Sequence, residues 1–153
     1  MAKQVCPTPG FEKLLVATDG SEFSKFAVQE AMTIAGACSS TLYVLHVIET
    51  GVEVELWDTT AAEKLEKHMR KYLEEIQAKA AKQGVTCELI MHLGDEPYRF
   101  IVSEAKKHKV NTIIMGSHGR TGLTRLMMGS TVSRVIGHAP CMVLVVPIKA
   151  KKK

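Results

Sequence analysis

Five short apolar runs, with longer amphipathic segments between them, set the pattern of the chain. Several runs lack a regular polar alternation, as in residues 13–18, and this is typical of strands buried on both faces of a parallel sheet. The runs predict strands over residues 13–18, 41–49, 85–94, 110–116 and 141–147.

Apolar side chains between these runs recur at three- and four-residue spacing, which predicts amphipathic helices. The predicted helices cover residues 21–38, 58–84, 96–109 and 130–139. Ser21 is a predicted N-cap, Gly84 stands where a C-cap belongs, and Pro97 falls in a first turn, where proline fits. Residues 50–58 are predicted to form either a loop over the sheet edge or an extra helical turn.

The alternation of strand and helix predicts an α/β fold, a doubly wound open parallel sheet of five strands with helices on both faces, as in Rossmann-like proteins. If the first three strands build outward in one direction and the last two in the other, the strand order is 3-2-1-4-5. The length of 153 residues predicts a single domain over residues 1–153, with its core at about 12–148 and a basic tail at 149–153.

Charge narrows the class of partner. The chain carries a formal net charge of +4 at pH 7, and much of the excess lies in the lysine tail, which we expect to be solvated. This mild excess fits an anionic ligand but does not indicate nucleic acid as the partner.

Cysteines and apolar runs bear on the compartment. The four cysteines stand singly, without a CxxC pair, which predicts free thiols in a reducing compartment. The first residues lack the apolar core of a signal peptide, and no run approaches the roughly 20 apolar residues of a membrane span. We therefore expect a cytoplasmic protein with no membrane partner.

Two polar segments follow the strands at which the strand order would reverse. They are ATDGS at residues 17–21 and MGSHG at residues 115–119. Ligands of open α/β sheets bind beyond the carboxyl ends of the strands at such a point. Glycines at 116, 119 and 129 would let backbone N–H groups approach an anion, and Ser130 and Thr131 open a helix whose N-terminus attracts one. The segment therefore predicts a phosphate cradle.

The spacing of the glycines argues for more than a phosphate. It is G-x2-G-x9-G-S, which is neither a GxxxxGK[ST] loop nor the dinucleotide motif GxGxxG. Micromolar affinity needs about 8 kcal/mol, and each charged hydrogen bond contributes roughly 1.5–3 kcal/mol before the costs of association. Burial of a flat base would supply the rest, so a mononucleotide is the better prediction.

At these residues the sequence resembles the universal stress protein family, in its ATP-binding branch. The family's motif G-x2-G-x9-G-[ST] is complete as Gly116, Gly119, Gly129 and Ser130, within the contexts TIIMGSHGRTGL and APCMVLVVP. The opening KLLVATDGSEFSKFAVQEA and the segment LHVIE are also similar to that family, so the resemblance spans residues 13–147.

The resemblance implies a 3-2-1-4-5 sheet and a homodimer formed by antiparallel pairing of the fifth strands at Met142–Val146. It also implies binding of ATP, or of ADP or AMP, with Mg or Mn at the phosphates, and a role as a regulator or sensor in the stress response. Asp19 would border the ribose and base, and Val47 would contact adenine through its backbone. Ala17 stands where some nucleotide-binding members of the family carry proline, and this difference is expected to alter the base-binding slot slightly.

No catalytic residue is predicted. The residues predicted to contact the nucleotide are Ala17, Thr18, Asp19, Val47, Met115, Gly116, His118, Gly119, Arg120, Gly129, Ser130, Thr131 and Val132. Simpler alternatives stay open for three of them: Asp19 as a cap of the turn, His118 as a spacer whose backbone binds, and Arg120 as a solvated loop residue. Trp57 would cover the base or join the dimer surface, or be half-buried on its own domain.

A slow ATPase or nucleotide-transfer enzyme is the alternative to a binding protein. Phosphoryl transfer needs a neutralising cation, carboxylates that hold a metal and a positioned nucleophile. Only Asp19 is a carboxylate that the sequence places at the crevice, so binding is favoured. An electron-transfer or ATP-pyrophosphatase relative of the same fold group is a further alternative, and the second of these is disfavoured because ATDGSEFS lacks the SGGxDS loop.

Overall fold

Within residues 9–50, 59–119 and 128–147, which the computed structural model describes, strands and helices alternate along the chain. The strands are β1 (Lys13–Ala17), β2 (Thr41–Glu49), β3 (Thr86–Gly94), β4 (Thr112–Gly116) and β5 (Met142–Val146). The helices are α1 (Glu22–Cys38), α2 (Thr59–Lys82), α3 (Pro97–Lys107) and α4 (Ser130–His138). All strand pairs are parallel and the order is β3-β2-β1-β4-β5, which confirms the predicted fold class and order.

Local sequence signals mark three of the element ends among the described residues. The Ser21 side chain caps α1 by accepting a hydrogen bond from the backbone N–H of Ser24 at 3.3 Å. Gly84 follows α2 with a φ of 72°, a left-handed conformation that favours glycine. Pro97 is the first residue of α3. Predictions for residues 51–58, including Trp57, and for the lysine tail lie outside the described residues.

The core has two layers, one on each face of the sheet. Successive strand residues point to opposite faces, so Leu14 and Val16 pack with α1 and α2, whereas Leu15 packs with α3 and α4. All three are fully buried. The central strand therefore has no solvated face, as its unbroken apolar sequence predicts.

The strands end at different heights, and this opens a crevice. Ala17, the last residue of β1, pairs with Leu45, but β2 continues to Glu49, where it still pairs with Gly94 of β3. These four additional residues extend about 13 Å at the usual rise per residue of a strand. Because β1 stops early, the edge of β2 that would face β1 borders open space over these four residues.

The cysteine prediction was wrong in one respect. Cys87 and Cys141 are free thiols, whereas Cys38 is disulfide-bonded. Burial raises the pKa of Cys87 to about 11, so that thiol is protonated at neutral pH. Among the described residues, every helix is too short or too polar to cross a membrane. The cytoplasmic location stays a prediction.

A buried carboxylate joins α3 to the edge strand β3. Glu104 is 6% exposed, and its Oε1 lies 2.9 Å from Nε2 of His92 while its Oε2 lies 3.0 Å from Nε2 of His108. Burial alone would raise the pKa of Glu104, but the hydrogen bond from His92 and the charges of Lys107 and the two histidines bring that pKa below its ordinary value. The ionised carboxylate thus stabilises the position of α3.

We predict that Glu104→Gln lowers the free energy of unfolding at pH 7 by about 1–3 kcal/mol, because it removes the charge from these contacts. A carboxyl group with a lowered pKa stabilises the fold above its unfolded value of about 4.3, and that stabilisation is lost as the pH falls through the folded pKa. The difference between the two proteins should therefore shrink below about pH 4. Urea unfolding at pH 7 and at a pH below about 4 measures this difference in free energy. Glu66→Gln is the control, because Glu66 is an exposed partner of Arg70. Equal stabilities at pH 7 would contradict the prediction.

Candidate functional site

A cavity of about 310 Å³ lies beyond the carboxyl ends of β1 and β4. This is where the strand order reverses, with β2 and β3 on one side of β1 and β4 and β5 on the other. The extension of β2 forms one wall, and the start of α4 forms the opposite wall. The fold thus places this crevice where open α/β sheets bind ligands.

Twelve of the residues predicted from the sequence line this one cavity. They are Ala17, Thr18, Asp19, Val47, Met115, Gly116, His118, Gly119, Gly129, Ser130, Thr131 and Val132. The thirteenth, Arg120, lies outside the described residues. The structure therefore brings segments from β1, β2, β4 and α4 together, while contact with a ligand stays a prediction for each of them.

Five further lining residues were missed by the sequence analysis. They are Ser24, Leu45, Glu49, Pro97 and Ile101. A signal existed for Leu45 and Glu49, because both stand two positions from Val47 and so share its face of β2. Pro97 and Ile101 come from α3, and only the packing of that helix over the end of β2 reveals them.

The start of α4 supplies open backbone N–H groups to the cavity. Gly129 is the N-cap residue, and no side chain among the described residues caps the helix. The N–H of Gly129 itself donates to the carbonyl of Ser117 at 3.0 Å, which anchors the helix start beside the end of β4. The first-turn amides at 130–132 carry the positive end of the helix dipole, which is a favourable place for an anion.

Lack of space for a side chain, and not an unusual backbone conformation, explains Gly116 and Gly119 of the motif, whereas a Cβ on Gly129 would make only ordinary contacts at 3.6 Å or more. None of Gly116, Gly119 and Gly129 has a positive φ. A Cβ on Gly116 would lie 3.2 Å from the carbonyl oxygen of Phe23, and one on Gly119 would lie 3.1 Å from Oδ2 of Asp19. The absent side chains let three backbone segments meet closely around the cavity.

The residues of this motif fall within a match to the model of the universal stress protein family that covers residues 10–147. This chain belongs to the universal stress protein family. Its resemblance to that family, drawn above from the glycine motif, is confirmed.

Relatives of this universal stress protein are archaeal and bacterial. It is 34% identical to universal stress protein MJ0531 of Methanocaldococcus jannaschii over 94% of this chain and 85% of that protein. It is also 34% identical to universal stress protein YxiE of Bacillus subtilis, over 89% of this chain and 99% of that protein.

Solved structures share its fold. The structure of hypothetical protein MJ0577 superposes with a TM-score of 0.82 at 30% identity, covering 92% of this chain and 99% of the other. Two more distant structures show the fold alone, with TM-scores of 0.65 and 0.62 at 24% and 23% identity, each covering 88% of this chain. The first is a universal stress protein in complex with cAMP, and the second is one from Archaeoglobus fulgidus in complex with dAMP.

Asp19 performs the capping role that the sequence left open and also lines the cavity of this universal stress protein. Its Oδ1 accepts a hydrogen bond from the backbone N–H of Ser21 at 2.9 Å, which closes a turn through Gly20. Gly20 has a φ of 79°, so the turn needs glycine there. The other carboxylate oxygen of Asp19, Oδ2, faces Gly119. The Asp19 side chain thus contacts both the β1–α1 turn and the cradle.

The imidazole of His118 is buried beside the glycines. Its Nδ1 lies 2.8 Å from Oγ of Ser117, and 7% of the residue is exposed. Among the described lining residues the carboxylates are Asp19 and Glu49, and no lysine or arginine is present. An anion in the cavity would therefore rely on amides and helix dipoles rather than on a cationic side chain of that part of the chain.

A chain of hydroxyl groups connects α2 to the cavity wall. Oγ1 of Thr18 lies 2.9 Å from Oγ of Ser24 and 3.3 Å from the hydroxyl of Tyr72, a residue of α2 that does not line the cavity. The backbone N–H of Gly20 also donates to Thr18 Oγ1, at 3.2 Å. The carbonyl of Thr18 lies 2.7 Å from Nδ1 of His46, a fully buried residue of β2.

The direction of these hydrogen bonds follows from counting protons. Ser24 donates its proton to the carbonyl of Ser21 at 3.0 Å, so it must accept from Thr18. Thr18 has then used its only proton, and the hydroxyl of Tyr72 must donate to it. Burial raises the pKa of Tyr72, although its hydrogen bond with Thr18 opposes this, so the phenol keeps that proton at neutral pH.

We predict that Tyr72→Phe lowers the free energy of unfolding by about 1 kcal/mol, because Thr18 loses a donor while its oxygen stays buried. Urea unfolding at neutral pH measures the change. Tyr98→Phe is the matched control: the Tyr98 ring packs against Arg134 on the surface and should tolerate loss of its hydroxyl within about 0.5 kcal/mol. Equal losses in both variants would contradict a specific role for the chain of hydroxyls.

Proposed function

We propose that this universal stress protein binds an adenine mononucleotide, ATP or else ADP or AMP, in the crevice between β1 and β4, and acts as a nucleotide-responsive regulator or sensor. The observation that carries the proposal is the uncapped first turn of α4, which meets the glycine motif and the free edge of β2 in one cavity. The first two features suit the phosphates of a nucleotide, and the third suits its base.

The phosphate end suits the α4 wall. Backbone amides at 130–132 and the hydroxyl groups of Ser130 and Thr131 are available there, and the missing side chains of Gly119 and Gly129 give the phosphates room. Hydrogen bonds from amides to a charged group are stronger than those to a neutral one. Several such hydrogen bonds would stabilise a phosphate group at this wall.

The base end suits the β2 wall. Leu45 accepts a hydrogen bond from the N–H of Thr18, so its backbone polar groups point toward β1. The backbone N–H and C=O groups of successive strand residues point to opposite edges of the strand. Those of Val47, two residues after Leu45, therefore point to the same edge as those of Leu45, but lie past the end of β1. A donor and an acceptor side by side match the polar edge of adenine, and Leu45, Ile101 and Met115 offer apolar surface to its ring.

Solved relatives support the class of ligand. Two proteins of this fold hold cAMP and dAMP, and both of these ligands are adenine nucleotides. The cavity of about 310 Å³ is also at the lower end of the size range of small-molecule sites, roughly 300–1,000 Å³.

We propose binding rather than catalysis as the role of the site. No three His, Cys, Asp or Glu side chains form a metal-binding group within the described ranges. Mg²⁺ is commonly held by one or two carboxylates together with the phosphates of the ligand, and Asp19 could supply one of these. Mg or Mn would then neutralise phosphate charge at the cradle. A slow ATPase is the alternative, which an assay of phosphate release would detect.

The direct test is calorimetry of the purified protein with ATP, ADP and AMP, each with and without Mg²⁺. We expect a micromolar Kd for at least one of them. Gly119→Val should weaken that affinity at least tenfold, because its side chain would enter the cradle against Oδ2 of Asp19. Gly137→Val is the matched control, since a Cβ on Gly137 meets nothing within 4 Å.

Circular dichroism and thermal unfolding must show that both variants are folded. A folded Gly119→Val protein that binds the nucleotide as tightly as the natural sequence would remove the cradle from the proposal. Absence of binding by the natural sequence to all three nucleotides would overturn the proposed function.

We also propose that two copies pair through β5. This strand is hydrogen-bonded to β4 on one side and is the last strand of the described sheet on the other. Met142 and Leu144 are 49% and 38% exposed on it. An apolar edge strand of this kind favours pairing with another chain.

Light scattering at micromolar concentration should therefore give the mass of a dimer. Met142→Lys combined with Leu144→Lys should give a monomer, since charged edge side chains block strand pairing. The control Leu93→Lys, at a position 62% exposed on the opposite edge strand, should remain dimeric. A monomeric natural protein would contradict the proposed pairing.

A further inference from the structure

The outermost residue of β2 is a glutamate that faces the candidate nucleotide site. Glu49 lines the cavity together with Val47 and Leu45, on the same face of the strand. It is the last β2 residue paired with β3, opposite Gly94. The carboxylate therefore projects from a paired strand and not from a loop, which limits the range of positions it can reach.

Its place within the cavity is far from the cradle. β1 lies between β2 and β4, so the walls formed by β2 and β4 are two strand spacings apart, about 10 Å. The second carboxylate, on Asp19, is turned toward Gly119 and thus belongs to the cradle side. Glu49 is the carboxylate that the described lining residues place on the opposite wall.

This charge determines which part of a nucleotide can lie beside it. A carboxylate repels phosphate and favours N–H donors, because in its ionised form it can only accept hydrogen bonds. The phosphates are drawn instead to the amides of α4. The group that meets the β2 wall should therefore be the base, with an N–H donor directed toward the carboxylate.

We propose that Glu49 determines base specificity by accepting a hydrogen bond from the exocyclic amino group of the base. This assignment rests on the proposed function. Adenine carries such an amino group, whereas hypoxanthine carries a keto oxygen in its place. A keto oxygen would put two acceptors face to face, and a site that leaves a polar group unpaired in this way rejects its ligand strongly.

Inosine triphosphate has the same ribose and phosphates as ATP and differs from it at the base edge, where a keto oxygen replaces the amino group and N1 carries a proton. Because the change at N1 is the same for every variant, the effect of a Glu49 substitution on the ratio of the two affinities isolates this contact. We expect the natural protein to bind ATP at least tenfold more tightly than inosine triphosphate. In Glu49→Gln the side-chain amide can donate to the keto oxygen. The affinity for inosine triphosphate should then rise and the ratio of the two Kd values should fall at least fivefold.

The controls separate this contact from general effects of charge. Glu88→Gln removes the same charge from an exposed position on β3 that does not line the cavity, and should leave the ratio unchanged. Glu49→Ala should weaken ATP binding without a gain for inosine triphosphate, since alanine can neither accept nor donate. Calorimetry measures all four proteins with both ligands.

Each outcome has one meaning. A fall of the ratio in Glu49→Gln alone supports the assignment. An unchanged ratio, including an equal loss of affinity for both ligands such as a ribose contact would give, overturns the role of Glu49 while the proposed function stands. If the natural protein binds neither ligand, the proposed function fails and the assignment fails with it.

Discussion

The early end of the central strand is the constraint on which the rest of the site depends. β1 is hydrogen-bonded on both sides, to β2 and to β4, yet it stops at Ala17 while β2 continues to Glu49. β2 can continue past the end of β1 because its other edge stays paired with β3 as far as Gly94. The gap beyond the end of β1 is bounded by backbone N–H and C=O groups that would form hydrogen bonds to β1 if that strand were longer.

This origin explains why the lining is so dependent on main-chain groups. The exposed edge of β2, the end of β4 and the first turn of α4 each present peptide groups to the same space. Peptide dipoles carry fixed partial charges that need no counterion and do not titrate. A site of this kind can attract an anion while the net charge of its neighbourhood stays small.

Much of the fold and part of the site could be predicted from the sequence, because both have short-range signals. The bounds of β2 were predicted correctly from an apolar run, and the glycine spacing marked the cradle because close approach of backbone requires residues without side chains. Contacts between distant elements have no such signal. Ile101 reads as an ordinary core position of an amphipathic helix, and only the packing of α3 brings it to the cavity.

The contact of Tyr72 with Thr18 also joins distant elements and has no signal in the sequence, yet it orders one wall of the crevice. Since each hydroxyl of its chain has one proton, the chain from Tyr72 through Thr18 to Ser24 admits a single arrangement. Met69, from the same helix, packs against Gly20 from behind. The β1–α1 side of the crevice is thus preorganised during folding, and its conformational entropy is already lost before a ligand arrives. A ligand that contacts this wall would therefore not have to order it first.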